Sequence, residues 1–77
     1  MSNRRNNLDI NADILRTASS GALKTRIVYQ ANLNFKIVKR YLKDLLERKF
    51  LAFYEPRYFT TDKGNSYLKR YENLKSL

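Results

Sequence analysis

The sequence predicts a mainly α protein with one small β-hairpin, an α+β fold in a single domain of 77 residues. Three observations predict it. Apolar residues recur at intervals of three and four along most of the chain, the period of helices that each bury one side. One stretch, FLAFYEPRYFTT, abandons that period for alternation around a proline, as two short strands do. Residues that cap or break helices fall between these segments, including the only proline and both glycines.

The first helix lies within NNLDINADILRTASSG, where Ile10, Ile14, Leu15 and Ala18 share one side. Asn7 is the expected N-cap, Asp9 suits the positive end of the helix, and Ser20 and Gly21 end it. KTRIVYQAN supplies a short second helix, with Thr25 as the expected cap and Ile27, Val28 and Ala31 buried. Asn32 tolerates a left-handed conformation and Asn34 caps well, so NLN reverses the chain in three residues with Leu33 turned inward. Two helices joined by so tight a turn make a helix-turn-helix.

The third helix is expected from Phe35 to Lys49, about 22 Å long. At about 100° per residue, Val38, Tyr41, Leu42 and Leu45 fall within about 50° of one direction and form its buried side. Lys36, Lys39, Arg40 and Lys43 fall almost opposite, in the N-terminal part of the helix, where the helix dipole disfavours cations. Phe35 and Ile37 flank the buried side. After the third helix, Leu51 and Phe53 begin a strand, Glu55, Pro56 and Arg57 turn, and Tyr58 and Thr60 return. Thr61 caps a last helix with Asp62 in its first turn and Tyr67, Leu68, Tyr71, Leu74 and Leu77 at helical spacing.

Composition narrows the function. Sixteen Lys and Arg against seven Asp and Glu leave a net charge of +9, which points to a polyanionic partner, nucleic acid first. Residues 34–49 are the densest part, with six cations and two anions. The chain contains no cysteine and no histidine, so disulfides and the usual zinc sites are excluded and no metal or other cofactor is expected. Without those residues or a glycine-rich phosphate loop, the remaining acid–base groups are scattered carboxylates beside cations, and no enzyme or small-molecule ligand site is expected. No apolar run approaches the roughly 20 residues that span a bilayer, and MSNRRNNLDI lacks the apolar segment of a signal peptide. A domain this small buries only about 60% of the surface its unfolded chain exposes, which makes a shared subunit interface a natural further source of stability.

Helix, helix, tight turn, helix, hairpin, helix is the order of a winged helix-turn-helix, with a three-helix core, a short wing and a C-terminal helix. The wording is also similar to one family. Ile10, Asp13, Ile14 and Leu15 fit a pattern I..DIL; Lys24, Thr25, Arg26, Ile27, Ala31, Asn32 and Leu33 fit KTRI...ANL; Tyr41, Leu42, Leu45, Leu46 and Leu51 fit YL..LL..GLI; and Tyr58, Thr61, Lys63, Gly64, Tyr67, Leu68 and Tyr71 fit Y.LT.KG..YL..Y. On these motifs the chain resembles archaeal winged-helix transcription-regulator domains, including small dimeric DNA-binding proteins of thermophilic archaea. Two departures stand out. Phe50 stands where a glycine usually closes the third helix, and the wing tip, with Arg57 beside Glu55, is shorter and less basic than is common.

The length gives room for a single domain over residues 1–77, read as a basic arm at 1–7 in which Arg4 and Arg5 either lie along DNA or belong to a disordered terminus, a core and wing at 8–60, and a C-terminal helix at 61–77. The resemblance adds the expectations about partner and site. It implies double-stranded DNA as partner, with the third helix in the major groove and Asn34, Phe35, Lys36, Lys39, Arg40 and Lys43 as its contact surface. Arg40 has the planar fork suited to guanine, and the lysines neutralise phosphates. Asn34 either caps or reaches the nucleic acid, and Phe35 either touches a thymine methyl or packs in the turn. Lys24, Thr25 and Arg26 at the second helix's N-terminus are expected on the phosphate backbone, with Arg57 from the wing. Tyr67, Tyr71, Leu74 and Leu77 are expected at a homodimer interface on the last helix. The expectation is a DNA-binding transcription regulator or small chromatin-associated protein, cytoplasmic and nucleoid-associated. The alternative is a winged-helix protein-interaction module with no direct DNA contact; attachment of a basic helix to a membrane is disfavoured because the third helix needs its apolar side for the core.

Overall fold

The computed structural model describes residues 6–76, so Arg4, Arg5 and Leu77 lie outside the described residues. Its elements are α1 (Asn7–Thr17), a 3-10 turn (Ala18–Ser20), β1 (Ala22–Leu23), α2 (Lys24–Ala31), α3 (Phe35–Glu47), β2 (Leu51–Tyr54), β3 (Arg57–Thr60) and α4 (Asp62–Lys75). This is the expected winged helix-turn-helix, with one addition. The residue pair β1 joins the hairpin to give an antiparallel sheet in the order β1-β3-β2. Two residues cannot display alternation, which is why periodicity misses them.

Helix α1 is the axis of the core. Ala12, Ile14 and Leu15 are fully buried, and Ile10 and Asn11 nearly so, because α2, α4 and β3 all pack around this helix. Its cap differs from expectation by one residue. Asn6, not Asn7, is the N-cap: its side chain accepts from the Asp9 N–H at 2.9 Å while the Asp9 carboxylate accepts from the Asn6 N–H at 3.3 Å. Asn7 instead accepts a 2.6 Å hydrogen bond from the Tyr41 hydroxyl and ties α1 to α3.

The tight turn forms as the sequence suggests. Asn32 is left-handed at φ 55°, and Asn34 accepts from the Ile37 N–H at 2.8 Å to cap α3. Val38, Leu42 and Leu45 of α3 meet Ile27 and Ala31 of α2 in the core, with Leu33 packed against them.

The end of α3 corrects a second expectation. The left-handed residue that closes the helix is Lys49 (φ 68°), one position before Phe50. The Lys49 N–H donates to the Leu46 carbonyl at 3.1 Å and the Phe50 N–H to the Leu45 carbonyl at 2.9 Å, the paired bonds of a Schellman close. Phe50 itself turns inward against Tyr67, with ring centroids 5.0 Å apart, and the cations of Arg48 and Lys63 lie over its ring at 5.4 Å.

The same junction starts α4. Thr61 caps the helix through the Gly64 N–H at 3.1 Å, donates its hydroxyl to the Lys49 carbonyl at 2.6 Å, and donates its own N–H to the Phe50 carbonyl at 3.0 Å. Gly64 is buried under that Phe50 carbonyl, and a β-carbon there would overlap its oxygen. Gly21, at φ 95°, allows the chain to enter β1 with the Phe59 ring against its α-carbon; an added β-carbon would stand 2.6 Å from that ring.

Helix α4 then runs back along α1. Tyr71 donates its hydroxyl to the Asp9 carboxylate, Lys75 pairs with Asp9 at 3.7 Å, and Arg16 binds Glu72 at 3.2 Å.

Candidate nucleic-acid interface

The burial of Val38, Leu42 and Leu45 fixes which side of α3 faces outward, and Lys36, Lys39, Arg40 and Lys43 are all exposed on it. Among the described residues, ion pairs link Arg16 to Asp13 and Glu72, Arg48 to Asp44, and Lys75 to Asp9. None engages the four cations of the row. Those charges are therefore available to an external anion.

Three further groups extend the row. Lys24 opens α2 and reaches across the turn so that its Nζ lies 4.9 Å from the centroid of the Phe35 ring, an approach of cation to aromatic face that joins the starts of α2 and α3. Phe35 is about half exposed (51%), so it neither fills the core nor stands free. Thr25 and Arg26 are exposed in the first turn of α2. Thr25 does not cap that helix: Leu23 is the N-cap residue and supplies no side-chain acceptor, so the first amides are left to partners outside the helix. Asn34 spends its side-chain oxygen on the Ile37 N–H, which is the capping role.

Lys24, Lys39, Arg40 and Lys43 converge on a groove of about 540 Å³ between α3 and the sheet. Leu42, Leu46 and Tyr58 line it as well, and Glu47 stands among them. Burial raises the Tyr58 hydroxyl pKa above its ordinary value of 10.0, so that group stays neutral and adds no negative charge to the groove. Arg40 also lines a second, more polar hollow with Asn7, Ile37, Tyr41 and Asp44. It stands on the ridge between the two.

Arg57 does not join this group. It pairs with Leu23 and Tyr54 across the sheet and is adjacent in sequence to Tyr58, so its side chain projects from the sheet face opposite the one that lines the groove. Tyr54, on the same face as Arg57, packs edge-on to Phe59 at 5.9 Å and is 70% exposed.

The residues expected at a dimer interface divide. Tyr67 packs on Phe50 and Tyr71 on Asp9, both within one chain, whereas Leu74 is 69% exposed. Leu8, at the end of α1 that Lys75 and Tyr71 reach, is also exposed. The sequence reading missed Leu8, and it missed the groove lining of Leu46 and Tyr58, because each is an ordinary apolar position until the sheet is placed against α3.

Among the described residues, no helix is long and apolar enough to cross a membrane, and no cluster of acidic side chains is suited to hold a metal ion. A family model described as winged helix-turn-helix matches residues 4–77. Among solved structures, the crystal structure of Sso10a-2, a DNA-binding protein from Sulfolobus solfataricus, is similar with a TM-score of 0.83 and 28% sequence identity. The similarity covers 94% of this chain and 80% of that one. No curated protein matches the chain.

Proposed function

The chain belongs to the winged helix-turn-helix family, and from that premise we propose that it binds double-stranded DNA through α3, as a transcription regulator or small chromatin-associated protein. The observation that carries this reading is the row Lys36, Lys39, Arg40 and Lys43 on the exposed face of α3, which no ion pair among the described residues engages. Similarity to a DNA-binding protein over nearly the whole chain supports it. A helix with its side chains is about 10–12 Å across and fits a major groove about 12 Å wide. In that pose Arg40 meets a base edge, the three lysines neutralise phosphates, and Lys24, Thr25, Arg26 and the free amides of α2 hold the backbone. Arg57 contributes at most from the far face of the wing. The role is non-enzymatic, in keeping with the family, and a nucleoid-associated location follows from it.

Two copies pair through the end of α4, where Leu74 offers exposed apolar surface, with Leu8 also exposed at the end of α1 that Lys75 reaches. With Tyr67 and Tyr71 engaged inside the chain, the pairing surface lies further toward the C-terminus than those residues. A dimer presents two α3 helices to one face of the duplex.

Anisotropy titration of a labelled duplex across salt tests the reading. If each subunit neutralises about four phosphates, log affinity falls against log salt with a slope of roughly −7 for a dimer and about half that for a monomer. Changing Lys36, Lys39 and Lys43 to Glu abolishes binding and leaves the circular dichroism spectrum unchanged. Absence of binding by the unaltered protein, or binding insensitive to salt, overturns the proposal and leaves the protein-interaction reading.

A further inference from the structure

The groove between α3 and the sheet has a composition that a duplex does not explain. Its rim is cationic, from Lys24, Lys39, Arg40 and Lys43, but its floor is apolar, from Leu42, Leu46 and Tyr58. Duplex DNA answers the rim with its phosphates and offers the floor little beyond thymine methyls. Its bases are stacked inside, and the phosphates it turns outward are strongly hydrated groups that gain nothing from an apolar floor. A ligand that matches both surfaces combines a flat, weakly polar body with an attached anion.

The wing adds a second observation. Phe53 is the cross-strand partner of Tyr58, on the same sheet face, with ring centroids 4.7 Å apart. It is 48% exposed, so it carries the apolar surface of Tyr58 outward as an aromatic ring with an open face. The wing is otherwise ill suited to phosphate, since its tip is Glu55 and Pro56 and its one arginine projects from the other face. Glu47 lines the groove on the α3 side and repels phosphate there, which leaves the anion to the lysines.

We propose that this groove takes an unpaired base of single-stranded DNA, its ring against Leu42, Leu46 and Tyr58 and reaching the Phe53 ring, which borders Tyr58 outside the groove lining, with its flanking phosphates on Lys24, Lys39 and Lys43. A cationic track beside an aromatic platform is the arrangement by which proteins hold single strands without reading sequence. The volume, about 540 Å³, is ample for a small-molecule-sized group such as one nucleoside. The proposal rests on the reading of the α3 cations as a nucleic-acid surface. Because single strand and duplex would use the same lysines, they exclude one another on a given subunit.

The test compares three labelled ligands at one salt concentration: a single strand, an abasic strand with the same number of phosphates, and a duplex. The unaltered chain is expected to bind the single strand at least about tenfold more tightly than the abasic one. Phe53→Ala is expected to weaken single-strand binding by between about fivefold and about a hundredfold, the range of one lost stacking partner, while duplex affinity changes by less than about twofold. Phe53→Tyr, which keeps the ring, restores single-strand binding. Retained duplex binding shows that the variants are folded. Equal affinity for the abasic and normal strands, or an equal loss on strand and duplex in Phe53→Ala, overturns the proposal while duplex binding by the unaltered chain leaves the duplex reading standing. If the duplex alone fails to bind and the base-dependent pattern is present, this proposal stands and the duplex reading falls.

Discussion

At the end of α3, alanine and glycine should exchange their usual order of stability between two adjacent positions. Arg48 has φ −81° and ψ −2°, a conformation that any residue adopts, whereas Lys49 is left-handed at φ 68°. A β-carbon in the left-handed region costs roughly 1–2 kcal/mol. Glycine avoids that cost but gives the unfolded chain more freedom, which offsets about 0.4–1 kcal/mol. Lys49→Gly should therefore be more stable than Lys49→Ala by about 1 kcal/mol, or about 4–8 °C in melting temperature for a domain of this size. Both substitutions remove the same cation, so the loss of its interaction with the helix C-terminus cancels in the comparison. At Arg48 the order reverts, with Arg48→Ala above Arg48→Gly by roughly 0.5–1 kcal/mol. Thermal melts followed by circular dichroism measure all four. If alanine outranks glycine at position 49 as well, the left-handed close is not what ends α3, and the placement of Phe50 derived from it fails too.

Two further outcomes bear on how α4 is held. Gly64→Ala should destabilise the protein by about 1–3 kcal/mol although alanine is the better helix former, because its β-carbon meets a Phe50 carbonyl already held by the Thr61 N–H at 3.0 Å; a melting temperature equal to or above that of the parent refutes the close approach. The Asp9–Tyr71 contact should make stability fall at both extremes of pH. Its hydrogen bond to Asp9, then burial and the carboxylate charge, push the Tyr71 hydroxyl up to about 12, so this stabilisation is complete below pH 10.0 and is lost between there and about 12. Asp9 is held below its ordinary 3.8 by the Tyr71 hydroxyl, then by the Asn6 N–H and Lys75, so its contribution is present above pH 3.8 and is lost as pH falls through the lowered value. The gap in melting temperature between the parent and Tyr71→Phe should close at high pH; a gap that persists to pH 12 removes this explanation.

Much of the fold is legible in the sequence because its signals are local. Asn32, Asn34 and Thr61 each do what their side chains favour, at the positions where the helical period breaks. The misses have physical causes. Asn6 and Asn7 are chemically equal as caps, and only the reach of Tyr41 to Asn7 and the reciprocal bond with Asp9 decide between them. Thr25 loses the capping role because the extended Leu23 belongs to β1, whose pairing with β3 is non-local. The closing residue of α3 was readable after all, since counting three residues on from Leu46 in YL..LL..GLI reaches Lys49 and not Phe50. For the candidate site, the cation row follows from helical period alone. The apolar floor beneath it does not, because Leu46 and Tyr58 meet only when the sheet is laid on α3.

The cation row is also informative for what it costs. Lys36 with Lys39 and Arg40, and Lys43 with Lys39 and Arg40, are like-charge neighbours three and four apart, each pair destabilising the helix by about 0.2–0.5 kcal/mol. Lys36 stands in the first turn, where the helix dipole adds a further penalty of about 0.3–1 kcal/mol. No carboxylate in the described residues pairs with the row to relieve it, although Asp44 on the same helix pairs with Arg48. The rest of α3 compensates by burial of Val38, Leu42 and Leu45 and by closed caps at both ends. A helix arranged in this way keeps its shape without help from its charges. It follows that Lys36, Lys39 and Lys43 changed together to Glu should fold about as well as the parent: the pairs 36/40 and 40/43 become Glu beside Arg40 and the first turn gains an anion, which offsets the Glu–Glu pairs at 36/39, 39/43 and 43/47. Loss of DNA binding in that variant would then report the surface itself and not a weakened fold.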